Sequence, residues 1–423
     1  MRDGGRIAAA TEVLGALAAR PRPAHLELKA WGERARYAGA KDRAFVSGLV
    51  LDVLRHRRSL AWMMGEETDR ARVLGALRLL WEWPLERLEA AAAEPHGPGP
   101  LSDAECAHLA RPAPLDAAPA PTRGDYPDWL DAALQRVCGE ARALEGQALA
   151  ARAPVDLRIN TLKTDAAHVL KALARFGPAP VAGAPQALRI AAPLASERAA
   201  PVEATSEFEK GWFEVQDLGS QIAAAAAGEI RGRQVLDFCA GGGGKTLALA
   251  AAMESTGQLW AYDADARRLA QTVRRARRAG VRNLQVRPPS GPDALEGLEA
   301  RMDVVFVDAP CTGSGTWRRH PDAKWRLTPQ QLEQRIAEQD AILAVAAAFV
   351  KPGGRLIYVT CSVFAEENED RIAAFLAASP LFVADALPSL EVAAWLTPEG
   401  FLRLSPRIAA TDGFFIAALR RAG

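Results

Sequence analysis

From residue 211 onward, short apolar segments alternate with segments of helical periodicity. Strands are predicted at residues 235–238, 258–262, 304–307, 355–360 and 414–419, with helices between them that include 266–279, 328–350 and 366–377. This alternation favours a mainly parallel sheet with helices on both faces. We therefore predict an α/β domain over residues 211–423.

The preceding residues divide into three predicted regions. Residues 1–93 carry apolar side chains at helical spacing, which predicts an all-α domain. Residues 94–124 are rich in proline and glycine, which is typical of a linker. Residues 125–210 combine helical patterns with the alternating strand 157–160, which predicts a small α+β subdomain.

Composition excludes several classes of protein. The 423 residues are 49% hydrophobic and 24% charged, which does not fit a disordered or collagen-like chain. The formal net charge of +1 neither indicates nor excludes a nucleic-acid partner. Five cysteines without a Cys-x-x-Cys pair do not fit a disulfide framework or a zinc site. We expect no metal, a reducing cytoplasm, and no membrane partner, because no segment approaches the roughly 20 apolar residues of a membrane span.

A glycine-rich loop lies between the first predicted strand of the α/β domain and the following helix, with the sequence DFCAGGGGKT at residues 237–246. Glycines allow the backbone to approach a ligand closely, and the helix N-terminus offers free N–H groups. Asp263 ends the next strand, roughly 20 residues beyond, where an acidic residue of a nucleotide site accepts ribose hydroxyls. The loop is therefore a candidate cofactor site.

Three ligands compete for this loop. A P-loop fails, because Cys239 stands where the Walker pattern needs its first glycine. The dinucleotide pattern G-x-G-x-x-G is met only loosely by four consecutive glycines. S-adenosylmethionine has a ribose and no phosphate, so a close-approach loop and a ribose carboxylate suit it. A tight glycine turn without a ligand is the structural alternative.

Two cysteines follow apolar strands of the same domain. Cys311 lies in DAPCTGSG at 308–315, and Cys361 lies in TCS at 360–362. Because the carboxyl ends of parallel strands face one crevice, both cysteines are expected beside the glycine loop. Each could instead be buried as a small apolar residue, but their polar and glycine neighbours favour a chemical role. Cys239, inside the loop, is more typical of packing.

A thiolate at this edge suits methylation of carbon 5 of cytosine. That carbon becomes nucleophilic when a thiolate adds to carbon 6, and the reaction then needs a base to remove the carbon 5 proton. Such a site requires a cysteine of low pKa and a group that holds the N3/N4 edge of the base. Asp308 is suitable for that edge, and Lys245 is suitable for lowering a thiol pKa or contacting the base.

Together these segments resemble the Sun/RsmB-type (NOL/NOP/Sun) RNA cytosine-5 methyltransferases. The similar segments are FEVQD (213–217), CAGGGGKT (239–246), DAPCTGSGTWRRHPDAKW (308–325) and TCSVFAEENED (360–370). LRINTLK (157–163) resembles the start of the family's small RNA-contacting subdomain, and residues 41–45 and 55–57 resemble the NusB-like domain of its ribosomal members. The resemblance implies a Rossmann-like S-adenosylmethionine-dependent methyltransferase domain, preceded by an all-α NusB-like domain and a small α+β RNA-binding subdomain.

The resemblance also implies residue roles. Cys361 corresponds to the nucleophile and Cys311 to the cysteine tied to product release, an order that spacing alone leaves open because DNA cytosine methyltransferases use the cysteine after the proline. The implied cofactor contacts are Cys239, Ala240, Gly241, Gly242, Gly243, Gly244, Lys245, Asp263 and Asp308. Two positions depart from the family. Gly242 stands where proline is common, and residues 287–290 lack an acidic residue, which leaves Ser290 or Asp293 as the candidate adenine contact.

RNA is the expected partner. The basic and aromatic residues 317–326 directly follow Cys311 and suit a phosphate backbone and an unstacked base, although a solvated basic segment is the alternative. An unpaired cytosine in a loop or bulge costs least to extrude. The resemblance favours ribosomal RNA of the small subunit, 16S in bacteria, and a monomeric enzyme. The alternatives are the same chemistry on transfer RNA, or a non-catalytic RNA-binding assembly factor.

Overall fold

The computed structural model describes residues 1–194, 197, 200–289, 292–388 and 395–423. Its helices are α1 (Asp3–Ala19), α2 (Ala24–Arg34), α3 (Ala40–Arg55), α4 (Arg57–Met64), α5 (Asp69–Gly75), α6 (Leu85–Ala92), α7 (Asp103–Ala110), α8 (Ala120–Arg123), α9 (Asp131–Cys138), α10 (Arg142–Ala150), α11 (Ala166–Ala172), α12 (Ser206–Glu209), α13 (Leu218–Ala225), α14 (Gly244–Ala252), α15 (Ala266–Ala279), α16 (Ala323–Arg326), α17 (Pro329–Ala347), α18 (Glu369–Ala378) and α19 (Pro406–Ala409). Its strands are β1 (Val155–Ile159), β2 (Ala179–Val181), β3 (Ala184–Ile190), β4 (Phe213–Val215), β5 (Gln234–Asp237), β6 (Gln258–Tyr262), β7 (Leu284–Arg287), β8 (Met302–Asp308), β9 (Val350–Thr360), β10 (Phe382–Ala384), β11 (Leu402–Leu404) and β12 (Phe414–Arg421). Across these described ranges, no helix has both the length and the apolar character that a membrane crossing needs.

The chain forms two compact units. The first comprises Met1–Ala153, Ala192–Ala199 and Trp317–Leu327. The second comprises Pro154–Ala191, Ala200–Thr316 and Thr328–Gly423. Helices α1–α10 and α16 belong to the first unit, and all the strands β1–β12 belong to the second.

The first unit has a large apolar core built from amphipathic helices. Ile7 and Val13 of α1, Leu49 of α3 and Leu74 of α5 are fully buried in it. Side chains three or four positions apart share one face of a helix, so the apolar periodicity of the sequence becomes a continuous buried face. The helical prediction for this part of the chain is confirmed.

Residues 94–124 are not a linker. They contain α7 and α8, and Leu109 of α7 is buried in the core of the first unit. Ser102 caps α7 reciprocally with Glu105, and Pro119 immediately precedes α8. Proline is compatible with the first turn of a helix, so proline-rich sequence here starts helices instead of separating domains. The helical unit accordingly continues through α10, whose residues had been assigned to the α+β subdomain.

The second unit contains two sheets. The smaller sheet is antiparallel, with the order β2-β3-β1-β4. The larger sheet has the order β10-β12-β9-β8-β5-β6-β7, with β11 paired to β12. Strands β9, β8, β5, β6 and β7 run parallel, and β12 runs antiparallel to β9. The predicted mainly parallel α/β sheet is thus confirmed.

The central strand β8 is buried on both of its faces. Val305 and Val307 pack into one apolar cluster, whereas Val304 and Phe306 pack into another. Successive side chains of a strand point to opposite faces, so the sheet separates two apolar layers. This explains why β8 has a continuous apolar sequence instead of an alternating one.

The strand order reverses between β5 and β8, with β6 and β7 on one side and β9 on the other. In open α/β sheets, ligands bind beyond the carboxyl ends of the strands at such a reversal. The glycine loop follows β5, Cys311 follows β8 and Cys361 follows β9. The topology therefore brings the three predicted motifs to one edge of the sheet.

Candidate active site

The glycine loop between β5 and α14 requires glycine at two of its positions. Gly241 and Gly243 have φ angles of +54° and +85°. A Cβ atom on Gly243 would lie 2.8 Å from the side chain of Thr272, and one on Gly241 would lie 2.6 Å from Arg268. Gly242 has ordinary space around it, with its nearest side-chain neighbour 3.5 Å from a built Cβ. Gly242, which stands where the family commonly has proline, therefore lies at a position that tolerates a side chain.

The carbonyl oxygens of the loop accept hydrogen bonds from side chains of other elements. Thr272 Oγ1 donates to the Gly241 carbonyl at 3.0 Å, and Arg275 donates to the Gly242 carbonyl at 2.7 Å. Glu214 of β4 accepts from Arg275 at 2.8 Å and so fixes the guanidinium group. The loop conformation is set by α15 and β4 as well as by its glycines. No role had been assigned to Arg275, because a charge run gives no sign of which members are paired.

Two carboxylates frame the loop. Asp263, buried at the end of β6, accepts from the Gly241 N–H and from the Asp265 N–H, both at 2.8 Å. Asp237, fully buried at the end of β5, accepts from Thr246 Oγ1 at 2.6 Å through Oδ2, while its Oδ1 has no partner. Burial raises the pKa of Asp237 to about 7, although the bond from Thr246 opposes this. A close-approach loop with an unpaired buried acceptor fits a cofactor that carries hydroxyl and amino groups.

The sulfur atoms of Cys311 and Cys361 lie 3.4 Å apart. The two turns that carry them are tied together, since the Gly315 N–H donates to the Cys361 carbonyl at 2.9 Å and the Ser314 and Ser362 hydroxyls are 3.1 Å apart. Both sulfurs belong to half-buried residues. The structure thus brings together the two cysteines that lie 50 residues apart in the chain.

Lys245 and Asp308 form an ion pair beside the cysteines, with 2.8 Å between Nζ and Oδ2. Burial lowers the pKa of Lys245, but Asp308 and the charges of Cys361 and Asp237 outweigh it, so the pKa is raised overall. Lys245 also lies over the ring of Phe414, 5.1 Å from its centroid. The ammonium group therefore stays charged and held in place next to Cys361.

The Cys311 sulfur is in a different electrostatic environment. Its hydrogen bond with Cys361 raises its pKa well above the ordinary value, and burial and the charges of Cys361 and Glu367 act in the same direction. Glu367 is fully buried and accepts from the Thr312 N–H at 2.8 Å. Glu367 lies within the TCSVFAEENED segment, but its role was missed because only the fold shows that it contacts the Cys311 turn.

Cys239 is more consistent with packing than with chemistry. Its side chain packs against the apolar cluster that contains Leu236 and Phe238. Burial raises the pKa of its thiol well above the ordinary value, and the charges of Asp237 and Asp308 act in the same direction. Such a thiol stays protonated and acts as a small apolar group.

The structure buries part of the segment 317–326, for which RNA contact is predicted. Trp317, Arg318 and Lys324 are at most 4% exposed, and the segment belongs to the first unit. Lys324 Nζ donates to the Arg55 carbonyl at 2.8 Å, and Arg55 donates to the Arg318 carbonyl at 2.8 Å. Burial lowers the pKa of Lys324 to about 8. Lys324 therefore satisfies a backbone carbonyl within the helical unit and is not available to a phosphate backbone, whereas Arg319, His320 and Arg326 keep exposed surface.

The expected adenine contact cannot be placed. Ser290 and the side chain of Asp293 lie outside the described residues. The remaining predicted cofactor residues, Ala240, Gly244 and Lys245 among them, all lie in the loop or in the first turn of α14.

Two family models match the chain. Residues 228–420 match that of the 16S rRNA methyltransferases RsmB/F, and residues 126–197 match that of the ferredoxin-like domain of RsmF/B-like methyltransferases. A protein of Synechocystis sp., described as a probable ribosomal RNA small subunit methyltransferase B, is 32% identical over 311 residues, which is 70% of this chain and 67% of that protein. The ribosomal RNA small subunit methyltransferase B of Klebsiella pneumoniae is 35% identical over 300 residues, 70% of this chain and 65% of that protein. These alignments span about two thirds of the relatives' own length.

Solved structures share the fold. A methyltransferase homologue from Pyrococcus horikoshii is 29% identical, with a TM-score of 0.60 over 73% of this chain and 98% of that chain. The crystal structure of PH0851 is 24% identical, with a TM-score of 0.74 over 100% of this chain and 99% of that chain, and this likeness concerns the fold alone. The predicted α/β architecture preceded by a helical region is consistent with both.

Proposed function

The chain belongs to the RsmB/F methyltransferase family, and from that premise we propose that it transfers a methyl group from S-adenosylmethionine to carbon 5 of a cytosine in RNA. The proposed substrate is 16S ribosomal RNA, in line with the names of the similar proteins. The observation that carries the chemistry is the 3.4 Å approach of the Cys311 and Cys361 sulfurs beside the Lys245–Asp308 pair.

The residues at the sheet edge fit the cofactor. The family's methyl donor is S-adenosylmethionine, and the loop of Gly241–Gly244 with Asp263 would hold it. Asp263 would accept the ribose hydroxyls on the remaining lone pairs of its oxygens, each of which accepts one backbone N–H, with Arg268 3.9 Å from Oδ2. When bound, the cofactor supplies the methyl group that carbon 5 takes up.

Cys361 is the proposed nucleophile. Its thiolate forms a bond to carbon 6 of the extruded cytosine, and the electron pair moves into the ring and enriches carbon 5. The charge of Asp308, and to a smaller extent that of Cys361, raises the pKa of Lys245, so an ammonium group lies near the attacking sulfur. Asp308, held by Lys245 at 2.8 Å, is placed to accept a hydrogen bond from the N4 amino group of the base.

Cys311 is the proposed base for release. Its thiolate takes the proton from carbon 5 after methyl transfer, and the carbon–hydrogen electron pair restores the ring double bond. The bond between carbon 6 and the Cys361 sulfur breaks, and Cys361 leaves as a thiolate. Cys311 is proposed for this role because its sulfur lies 3.4 Å from the attacking sulfur and beside the buried carboxylate of Glu367, which holds the adjacent Thr312.

A transfer assay with labelled S-adenosylmethionine separates an enzyme from an assembly factor. We expect label in RNA that contains an accessible cytosine, and bisulfite sequencing of RNA from a deletion strain is expected to lose one 5-methylcytosine in 16S ribosomal RNA. Loss of a 5-methylcytosine in transfer RNA instead would identify transfer RNA as the substrate of the same reaction. Absence of label in any RNA would leave only a non-catalytic role.

A further inference from the structure

A buried carboxylate clamps the turn that carries Cys311. Glu367 is fully buried and accepts from the Thr312 N–H at 2.8 Å and from Thr312 Oγ1 at 2.5 Å. Gln339 of α17 donates through Nε2 to Glu367 at 3.0 Å and to the Pro310 carbonyl at 2.9 Å. Both residues that flank Cys311 are therefore fixed by the same Glu367–Gln339 pair.

Glu367 is itself fixed to the turn that carries Cys361. It ends the 3-10 turn Ala365–Glu367, six residues after Cys361 in the same connection between β9 and α18. Tyr358 of β9 donates its hydroxyl to the Glu367 carbonyl at 2.8 Å. The carboxylate is thus a rigid link between the two cysteine turns, and its position sets where one sulfur lies relative to the other.

The carboxylate of Glu367 is held by neutral donors. The donors to Glu367 are a backbone N–H, a hydroxyl and an amide, all of them neutral groups. Burying a carboxylate costs free energy that such donors offset only in part. A neutral contact, that of the Ser314 and Ser362 hydroxyls, joins the same two turns.

The charge acts on Cys311. Cys361, Glu367 and Tyr358 are titratable groups that interact with Cys311. Beyond them, the Arg371–Asp340 ion pair interacts with Tyr358, and the Lys245–Asp308 pair lies on the side of Cys361. After Cys361 has bonded to carbon 6 it carries neither a charge nor a thiol proton, so its contribution to the raised pKa of Cys311 is lost. Cys311 then gives its proton to solvent more readily, and Glu367 becomes the main charge that keeps its proton affinity high.

We infer that Glu367 is a positioning residue for the release half of the reaction, holding residues 310–312 so that the Cys311 sulfur reaches the carbon 5 proton. This inference rests on the proposed function. The proton goes from carbon 5 to the Cys311 thiolate, the electron pair forms the ring double bond, and the Cys361 thiolate departs. Glu367 itself exchanges no proton with the substrate.

The test is single-turnover kinetics across a range of pH, with adduct formation and methylated-RNA release measured separately on denaturing gels. Glu367→Gln keeps the size of the side chain and removes its charge, and Thr312→Val removes one of its donors while the charge remains. Glu333→Gln is the matched control, because Glu333 is an exposed glutamate on α17, the helix that carries Gln339. Thermal unfolding of each variant shows whether it is folded.

In Glu367→Gln, adduct formation is expected within about twofold of the wild type, and the high-pH plateau of release is expected to fall by roughly 10- to 100-fold, as misplacement of a reacting group does. The midpoint of the release profile should move to lower pH, because a negative charge that raises the pKa of Cys311 has gone. Thr312→Val should lower the plateau and leave the midpoint in place. Glu333→Gln should change neither quantity.

An unchanged release plateau in Glu367→Gln, or a fallen plateau with an unmoved midpoint, would overturn the inference. If Glu367→Gln does not fold, Thr312→Val decides, and wild-type release in that variant would also overturn it. Failure of the underlying function is separately visible, because the wild-type protein would then form no RNA adduct at any pH.

Discussion

The turns after β8 and β9 both present a cysteine at the same edge of the sheet, yet different charged groups lie beside the two sulfurs. Cys361 lies near the Lys245 ammonium, whose pKa its own charge raises. Cys311 lies near the Glu367 carboxylate, whose charge raises the Cys311 pKa. A cation favours a thiolate that attacks, and an anion favours a sulfur that accepts a proton. We propose that these different neighbours suit two identical side chains, 3.4 Å apart, to different steps.

The two turns also differ in how they are fixed. The Cys361 turn is held by neutral groups, with Asn368 Nδ2 donating to the Ser362 carbonyl at 3.0 Å and the Ser314 and Ser362 hydroxyls 3.1 Å apart. The Cys311 turn is held by the buried carboxylate of Glu367. The serine contact is shared by both turns, whereas Glu367 adds a charged group that fixes residues next to Cys311.

The largest expected effect is that of Cys361→Ala. Loss of the attacking sulfur should lower turnover by about 10⁴-fold or more and abolish the covalent RNA adduct, because a neighbouring thiol with a raised pKa does not replace it. The measurement is methyl transfer from labelled cofactor, together with adduct trapping on a denaturing gel. An adduct that survives in this variant would reverse the assignment of the two cysteines.

Cys311→Ala comes next. Without the proton acceptor, attack and methylation continue but release fails, so multiple turnover should fall by about 10²- to 10⁴-fold while adduct accumulates. The same denaturing gel reports it, and Cys138→Ala, which changes a cysteine of the first unit, serves as the control. If Cys311→Ala and Cys361→Ala both lack the adduct, the proposed division of roles between the turns is contradicted.

Lys245→Met tests the cation on the Cys361 side. Adduct formation should slow by about 100-fold, the usual cost of losing one electrostatic contact in an active site, while release from preformed adduct stays close to wild type. Lys351→Met is the matched control, since Lys351 forms an ion pair of 2.6 Å with Asp303 at the start of β8. Equal slowing of adduct formation and release would mean that Lys245 does not act selectively on the step assigned to Cys361.

The smallest expected effect concerns the neutral links of the Cys361 turn. Ser362→Ala removes its contact with Ser314 and the hydrogen bond that its hydroxyl accepts from the Phe364 N–H, at 3.1 Å. The free energy of unfolding should fall by about 1–2 kcal/mol, measured by denaturant titration, with turnover within about threefold of wild type. A loss of turnover as large as that of Lys245→Met would show that the geometry of the turns, and not the charge beside them, determines the roles of the two cysteines.

The sequence predicts the location of the site because strand order determines it. The apolar segments before Asp237, Cys311 and Cys361 identify three parallel strands, and parallel strands end at one edge. The spacing of Asp263 from the glycines likewise depends only on the chain running through one helix and one strand. Local sequence patterns of this kind do not depend on how the helices and strands pack against one another.

The partners of these residues are not predictable in the same way. Glu367 and Gln339 meet the Cys311 turn from separate elements, so their contact depends on how α17 packs beside β8 and β9. For the basic residues 317–326 the sequence predicts an exposed RNA contact, but Lys324 is only 1% exposed. A charged sequence does not reveal which cations will be buried against backbone carbonyls, nor that proline-rich residues 94–124 begin helices.

The most direct test of the division between the two turns is to locate the covalent bond itself. The Cys311→Ala protein is incubated with S-adenosylmethionine and a cytosine-containing RNA, and the adduct is digested with protease and nuclease for peptide mass spectrometry. The account predicts a methylated cytidine nucleotide on the peptide that contains Cys361 and on no other cysteine. A nucleotide on Cys239, or recovery of every Cys361 peptide unmodified while RNA is methylated, would contradict it.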